Sequence, residues 1–249
     1  MNKFKIVVPV FNSKDWIEKC ISSIKNQTIK EIECIIIDDC SNDITGTIID
    51  GMALDSRFTV IHNTNNNGAL ANIVTGFQKL KSLEDNNSIL LVVDGDDWLA
   101  TEYSLEIVNK AYNINPNLLL TYGNHVHWPT NGTSNCKYFP ANILLNNSYR
   151  NYELFITSHL RTFKSKLWNS IKDEDLKNPT TNEYWRTAWD CAMMYPMLEM
   201  AGSERFKFIE QILYIYNRQN PLSDDIIHAT EQTKTFNYIR TLKKYELVI

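Results

Sequence analysis

Short unbroken apolar runs alternate with stretches of helical spacing through the first half of the chain. Phe4-Lys5-Ile6-Val7-Val8-Pro9-Val10 is β-branched and reads as a buried strand. Phe11-Asn12-Ser13 turns, and Ser13 is placed to cap a helix whose inner face is Trp16, Ile17, Cys20, Ile21 and Ile24. Residues 32–37 form a second buried strand, followed by a helix marked by Ile44, Ile48, Ile49 and Met52. Residues 57–62 give a third strand, 63–68 an Asn-rich loop, and Leu70, Ile73, Val74, Phe77 and Leu80 the stripe of a third helix. Ser88 to Leu99 carries five consecutive apolar residues and then Asp94-Gly95-Asp96-Asp97. A helix over about 101–112 follows. This alternation predicts a parallel sheet with both faces covered.

In such sheets ligands bind at the carboxyl ends of the strands. Two acidic clusters, Asp38-Asp39 and Asp94 to Asp97, fall there. Clustered carboxylates at the end of a buried strand are costly without a positive partner. A divalent cation shared with a phosphorylated substrate would meet that need, since Mg²⁺ and Mn²⁺ favour carboxylate oxygens. Gly95 is expected to let a ligand approach the backbone. A lone D-x-D also fits an acidic turn after a strand; it is the coincidence of two clusters at strand ends that favours a site.

Beyond residue 118 the pattern loosens. Leu118 to Tyr122 reads as a strand and 123–150 as loops and irregular strands. His159-Leu160-Arg161-Thr162-Phe163 reads as a short strand with His159 and Arg161 on one face. The apolar segment 186–201, rich in Met, reads as core. Ile212 to Tyr216 is a last strand and 223–245 an exposed, charge-mixed helix.

The 249 residues are 43% hydrophobic and 22% charged, a globular composition. The net charge of −4 gives no nucleic-acid footprint. Five cysteines without C-x-x-C spacing read as reduced thiols. No signal peptide and no membrane-spanning run is read. The expected location is the cytoplasm, or the virion or host cytoplasm for a viral source.

Several motifs together resemble family-2 glycosyltransferases of the GT-A fold. They are Val7-Val8-Pro9-Val10-Phe11-Asn12, Ser22 to Thr28, Ile37-Asp38-Asp39-Cys40-Ser41-Asn42-Asp43, Asn67-Gly68 and Val93-Asp94-Gly95-Asp96-Asp97-Trp98. Order and spacing fit over about residues 4–115; Cys40 stands where the family usually has Gly. Thr157 to Phe163 and Trp189-Asp190 look like the acceptor-side strand and catalytic aspartate. The segment Tyr214 to Asp224 is similar to one in large-virus and bacterial members.

The resemblance implies an α/β, Rossmann-like, mostly parallel sheet flanked by helices, in a single domain. Residues 1–115 would bind the nucleotide sugar and 116–249 the acceptor. Activity would be inverting transfer from a UDP-sugar to a hydroxyl of a glycan or protein, with Mn²⁺ or Mg²⁺. Pro9, Val10, Phe11, Asn12 and Asn67 would line the nucleotide, with Asp39 accepting from the uracil imide and Asp38 supporting its loop. Asp94 and Gly95 would approach the ribose or metal, Asp94 and Asp96 would ligate the metal, and Asp97 would back them. His159 and Arg161 would add positive charge near the diphosphate, and Asp190 would be the general base. A homodimer is compatible with this reading. Two alternatives stand beside it: a catalytically inactive nucleotide-sugar-binding module, and a nucleotidyltransferase. The latter usually has a Gly-rich, basic loop after the first strand, where this chain has Phe11-Asn12-Ser13-Lys14.

Overall fold

The computed structural model describes residues 2–81 and 86–248. The expected alternation is present: β1 (Phe4–Val10), α1 (Ile17–Lys25), β2 (Ile32–Asp38), α2 (Thr45–Gly51), β3 (Phe58–His62), α3 (Ala69–Lys79) and β4 (Ile89–Val92). After the acidic turn come β5 (Trp98–Leu99) and α4 (Ser104–Ile114). The second half holds β6 (Leu120–Trp128), α5 (Ala141–Leu145), β7 (Thr162–Lys164), α6 (Ser165–Asn169) and α7 (Trp189–Ala201). It ends with β8 (Phe206–Asn217), α8 (Asp224–Ile227) and α9 (Ala229–Thr241).

One mixed sheet, ordered β3-β2-β1-β4-β7-β6-β8-β5, carries all eight strands of the described residues. β1, β2, β3 and β4 run parallel, as do β6 and β8; β7 and β5 are antiparallel to their neighbours. Strand alternation sorts the core onto two faces. Phe4, Ile6, Val8 and Val10 of β1 face a cluster with α1 and α4, including Ile17, Cys20, Ile21, Ile24, Leu105 and Val108. Val7 faces the opposite cluster, with Leu70, Ile73 and Phe77 of α3 and the Met residues of α7. Both faces of the parallel strands are thus covered, which is why these runs are apolar throughout.

Three local expectations change. Ser13 does not cap α1 with its side chain; its hydroxyl donates to the Phe11 carbonyl, and Trp16 precedes the first helical residue. β6 runs to Trp128, through residues expected to be loop, because it pairs with β8 over nine positions across a register shift at Asn124. The exposed C-terminal helix is two helices, α8 and α9, divided at His228.

Candidate active site

The parallel strands end at one cleft of about 1100 Å³. From the first half, Pro9, Val10, Phe11, Asp39 and the turn Asp94 to Asp97 line it. From the second half come His159, Arg161, Asp190, His125, His127, Arg186, Arg218 and Asn220. The residues expected to form the site line this cleft, with two exceptions. Asn12 and Asn67 stand behind the lining rather than in it. Asn12 ties two loops together: its N–H donates to Ser41 Oγ and its Oδ1 accepts from Asn42 N–H, both at 2.9 Å. Asn67 donates its backbone N–H to Asp39.

Asp39 is buried and organises the loop before α3. Its carboxylate accepts from Asn63 Nδ2 at 2.9 Å, Asn67 N at 2.9 Å and Gly68 N at 2.8 Å. Gly68 has φ +89°, a conformation glycine adopts without penalty. Asp38 braces the neighbouring turn, accepting from Ser41 N and bonding His62 Nδ1 at 2.9 Å. Cys40 has φ +63°, which accounts for a glycine preference at this position.

The acidic turn is held from both sides. Gly95 N donates to the Pro9 carbonyl, and Asp97 N to the Asp94 carbonyl. A Cβ on Gly95 would stand 2.5 Å from Val10 Cβ. It is β1, rather than an approaching ligand, that fills the space its missing side chain leaves. Tyr214 of β8 accepts from Asp94 N–H at 3.1 Å and hydrogen-bonds the Asp97 carboxyl. Asp97, fully buried, also accepts from Asn217 N at 2.7 Å. Asp96 is half-buried and accepts from Asn220 Nδ2 at 2.7 Å.

Asp94, Asp97 and His159 each present a donor atom within 4.8 Å of the others. Burial pushes the Asp97 carboxyl well above its usual range, and the charges of Asp96 and Asp94 add to this. Burial likewise raises Asp96. His159 lies buried with its ring stacked on Tyr214 at 4.3 Å. Burial, then the Arg161 charge and His125, push its pKa well below the ordinary value. That shift disfavours the positively charged form expected of His159. Two carboxylates and an imidazole whose donor atoms converge in this way fit a divalent cation. Asp96, expected among the ligands, is outside this group and is engaged by Asn220 instead.

Asp190 opens α7 after Ala188, whose left-handed φ of +50° turns the chain sharply into the helix. Its Oδ1 accepts from Cys191 N, and its Oδ2 from Arg161 Nη2 at 2.9 Å. Arg161 also donates to the Thr157 carbonyl. Residues 159 and 161 thus connect the donor-atom group to the Asp190 carboxylate.

Sequence reasoning overlooked His125, His127, Arg186 and Arg218. The signal was present for the first two: they stand two apart on a strand, hence on one face, with their Nε2 atoms 3.2 Å apart. Arg186 folds back from the α7 approach onto Asn66, and nothing in its local sequence points to the cleft.

A mostly parallel sheet with an acidic turn facing this cleft is the GT-A architecture. Solved structures agree: S. aureus TarS 1-349 in complex with UDP-GlcNAc superposes with a TM-score of 0.63 at 19% identity, over 95% of this chain and 65% of that one. The mannosyltransferase PcManGT from Pyrobaculum calidifontis, in complex with GDP-Man and Mn²⁺, gives 0.60 at 16% identity, over 97% and 65%. The chain belongs to glycosyl transferase family 2, whose model matches residues 5–171. It is 27% identical over 226 residues to the uncharacterized glycosyltransferase EpsJ of Bacillus subtilis (strain 168), covering 88% of this chain and 61% of EpsJ. It is 30% identical over 113 residues to the GalNAc(5)-diNAcBac-PP-undecaprenol beta-1,3-glucosyltransferase of Campylobacter jejuni, covering 45% of this chain and 35% of that protein. The chain spans only part of these relatives' lengths. Among the described residues, no helix is long and apolar enough to cross a membrane.

Proposed function

We propose that the chain transfers a sugar from a UDP-sugar to an acceptor hydroxyl, with inversion at the anomeric carbon. Asp190 acts as base. The observation that carries this is a single cleft in which a group of hard-cation donors, Asp94, Asp97 and His159, is tied through residues 159–161 to a carboxylate at a helix start. The chain acts as one domain, with residues up to about 115 holding the donor and those beyond holding the acceptor.

Each group has a definite part. Pro9, Val10 and Phe11 flank the base. Asp39 Oδ2 takes one bond from within the chain, from Gly68 N, leaving acceptor capacity for a uracil N3–H. Arg186 and Arg218 line the same cleft and would bring positive charge to a diphosphate bound there. Asp94, Asp97 and His159, with Asp96 beside them, would hold Mn²⁺ or Mg²⁺; such an ion, when bound, supplies Lewis-acid neutralisation of a leaving diphosphate. Arg161 fixes the Asp190 carboxylate in direction. Asp190 takes the proton of the acceptor hydroxyl as its oxygen bonds to the anomeric carbon, and the bond to UDP breaks with its electron pair. The acceptor would be a hydroxyl of a glycan or protein.

The test is nucleotide release from UDP-GlcNAc, UDP-glucose, UDP-galactose and GDP-mannose with Mn²⁺ present. Slow release of UDP from a UDP-sugar is expected even without acceptor. No release from any donor, with no saturable donor binding by calorimetry, would remove the proposal; binding without release would mark an inactive module.

A further inference from the structure

Three of the chain's six tryptophans meet in a second hollow, of about 610 Å³, that shares no lining residue with the cleft. Trp16 precedes α1, Trp98 begins β5 and Trp128 ends β6. The other three are otherwise employed: Trp168 and Trp185 are buried in the core, and Trp189 lines the cleft next to Asp190. Trp98 and Trp128 stand edge to face, ring centres 5.5 Å apart at 68°, and form two walls of a corner. The Lys19 ammonium stands at that corner, 3.6 Å from the Trp98 ring centre and 5.3 Å from that of Trp128. Asp15 and Gln219, both exposed, complete the rim.

The lining selects a ligand. Trp98 is buried beneath Lys19 while Trp16 and Trp128 are half-buried, and an aromatic hollow with a few polar groups around it is suited to a small ligand. The rim carries one acid, one base and one amide, so it has no net charge to attract phosphate or a charged peptide. It offers donors and acceptors around flat apolar walls. A pyranose ring matches this: its C–H face packs on an indole while its edge hydroxyls bond Asp15, Lys19 and Gln219.

The hollow and the cleft also share a wall. In the segment after β8, Arg218 and Asn220 line the cleft while Gln219 lines the hollow. That segment is pinned to both sides, by Arg218 N to the Trp128 carbonyl and by Asn220 to Asp96. We propose that the hollow is a saccharide subsite, holding a neutral pyranose of an oligosaccharide acceptor at a distance from its reacting hydroxyl. This rests on the transferase reading above, which makes an extended glycan the natural occupant.

The test is calorimetric titration of the full chain with cellotetraose, maltotetraose and chitotetraose, in the presence of UDP and Mn²⁺. At least one should bind the wild type, and Trp128→Ala and Trp16→Ala should each weaken it by about tenfold or more. UDP release from the donor in the absence of oligosaccharide should stay at the wild-type level in both variants, which also reports on folding. Lys19→Ala provides a milder variant that leaves both half-buried indoles in place. A wild type that binds none of the three, or binding that survives all three substitutions, overturns the subsite. Binding that is lost in Trp128→Ala, by a chain that releases no nucleotide from any donor, would keep the saccharide site and remove the transferase reading instead.

Discussion

Arg161 Nη2 and Asp190 Oδ2 are paired at 2.9 Å, joining the segment before β7 to the first turn of α7. Asp190 Oδ1 accepts from the Cys191 N–H in its own turn. A carboxylate held this way has little freedom to turn from the cleft. Asp190→Asn keeps the shape and removes the basic charge, so turnover should fall by roughly 10²–10⁴-fold, the usual worth of a general base. Donor affinity should change little, because the proposed donor contacts are made by other residues. Single-turnover kinetics beside calorimetry with UDP checks both halves. Weaker donor binding at an unchanged rate would take the base role from Asp190.

The second prediction concerns the cation. Among the described residues, Asp94, Asp97 and His159 bring three donor atoms within 4.8 Å of one another. Excess chelator should abolish transfer, and Mn²⁺ should restore it. Asp97→Asn and His159→Ala should each raise the Mn²⁺ concentration needed for half activity, by roughly 10–100-fold as for lost metal contacts. Asp96→Asn should shift it less, since that carboxylate is engaged by Asn220. A large shift in Asp96→Asn with none in Asp97→Asn would return the ligand role to Asp96.

The first half of the fold was legible because its signals are local. Buried parallel strands are apolar on both faces, and α1 and α3 carry clean stripes, so Ile17, Cys20, Ile21 and Ile24 could be read directly as an inner face. The acidic ends of β2 and β4 then marked the cleft. The second half depends on pairing across long sequence distances. β6 and β8 continue past their apolar cores because each supplies the other's hydrogen bonds, including Asn124 opposite Ile212 and His127 opposite Tyr216. Neither strand's own sequence specifies that extension. The sequence places His159 near the site but does not show its stack on Tyr214, some fifty-five positions away in the chain. Asp39 was read as a nucleotide contact; its three bonds to residues 63–68 are tertiary and left no trace in spacing.

The third prediction tests what Gly95 is for. An added Cβ would stand 2.5 Å from Val10 Cβ and 3.1 Å from Val10 Cα, so the turn or β1 must shift. Gly95→Ala should cost about 1–3 kcal/mol, the range for an overpacked core position. Urea unfolding measures this. Because the displaced turn carries Asp94 and Asp97, donor binding should weaken as well. Val10→Ala in the same chain should recover only part of the loss, since alanine removes the Cγ contact at 2.6 Å but keeps the Cβ at 2.5 Å and the Cα at 3.1 Å. Wild-type stability in Gly95→Ala would show that the turn has slack.

The last prediction is a pH dependence at His62. This residue ends β3, and its ring bridges two carboxylates: Nδ1 to Asp38 Oδ2 at 2.9 Å and Nε2 to Asp50 Oδ1 at 3.1 Å. The bond to Asp38 is the main reason its pKa is raised above 6.5; burial works against this, and Asp50 adds to the rise. A raised folded-state pKa means the folded chain holds the proton more tightly than the unfolded one. The resulting stabilisation is complete below the unfolded value near 6.5 and is lost as pH rises through the folded value. The imidazole is 40% exposed, so solvent screening limits the effect to about 1 kcal/mol or less. Denaturant midpoints measured from pH 6 upward should therefore fall more steeply for the wild type than for His62→Gln, with the difference between the two curves closing at the alkaline end. Asp38 braces the turn beside Asp39, so donor affinity should follow the same pH trend more weakly. If the two stability curves stay parallel over that range, the bridge carries no proton-linked stability.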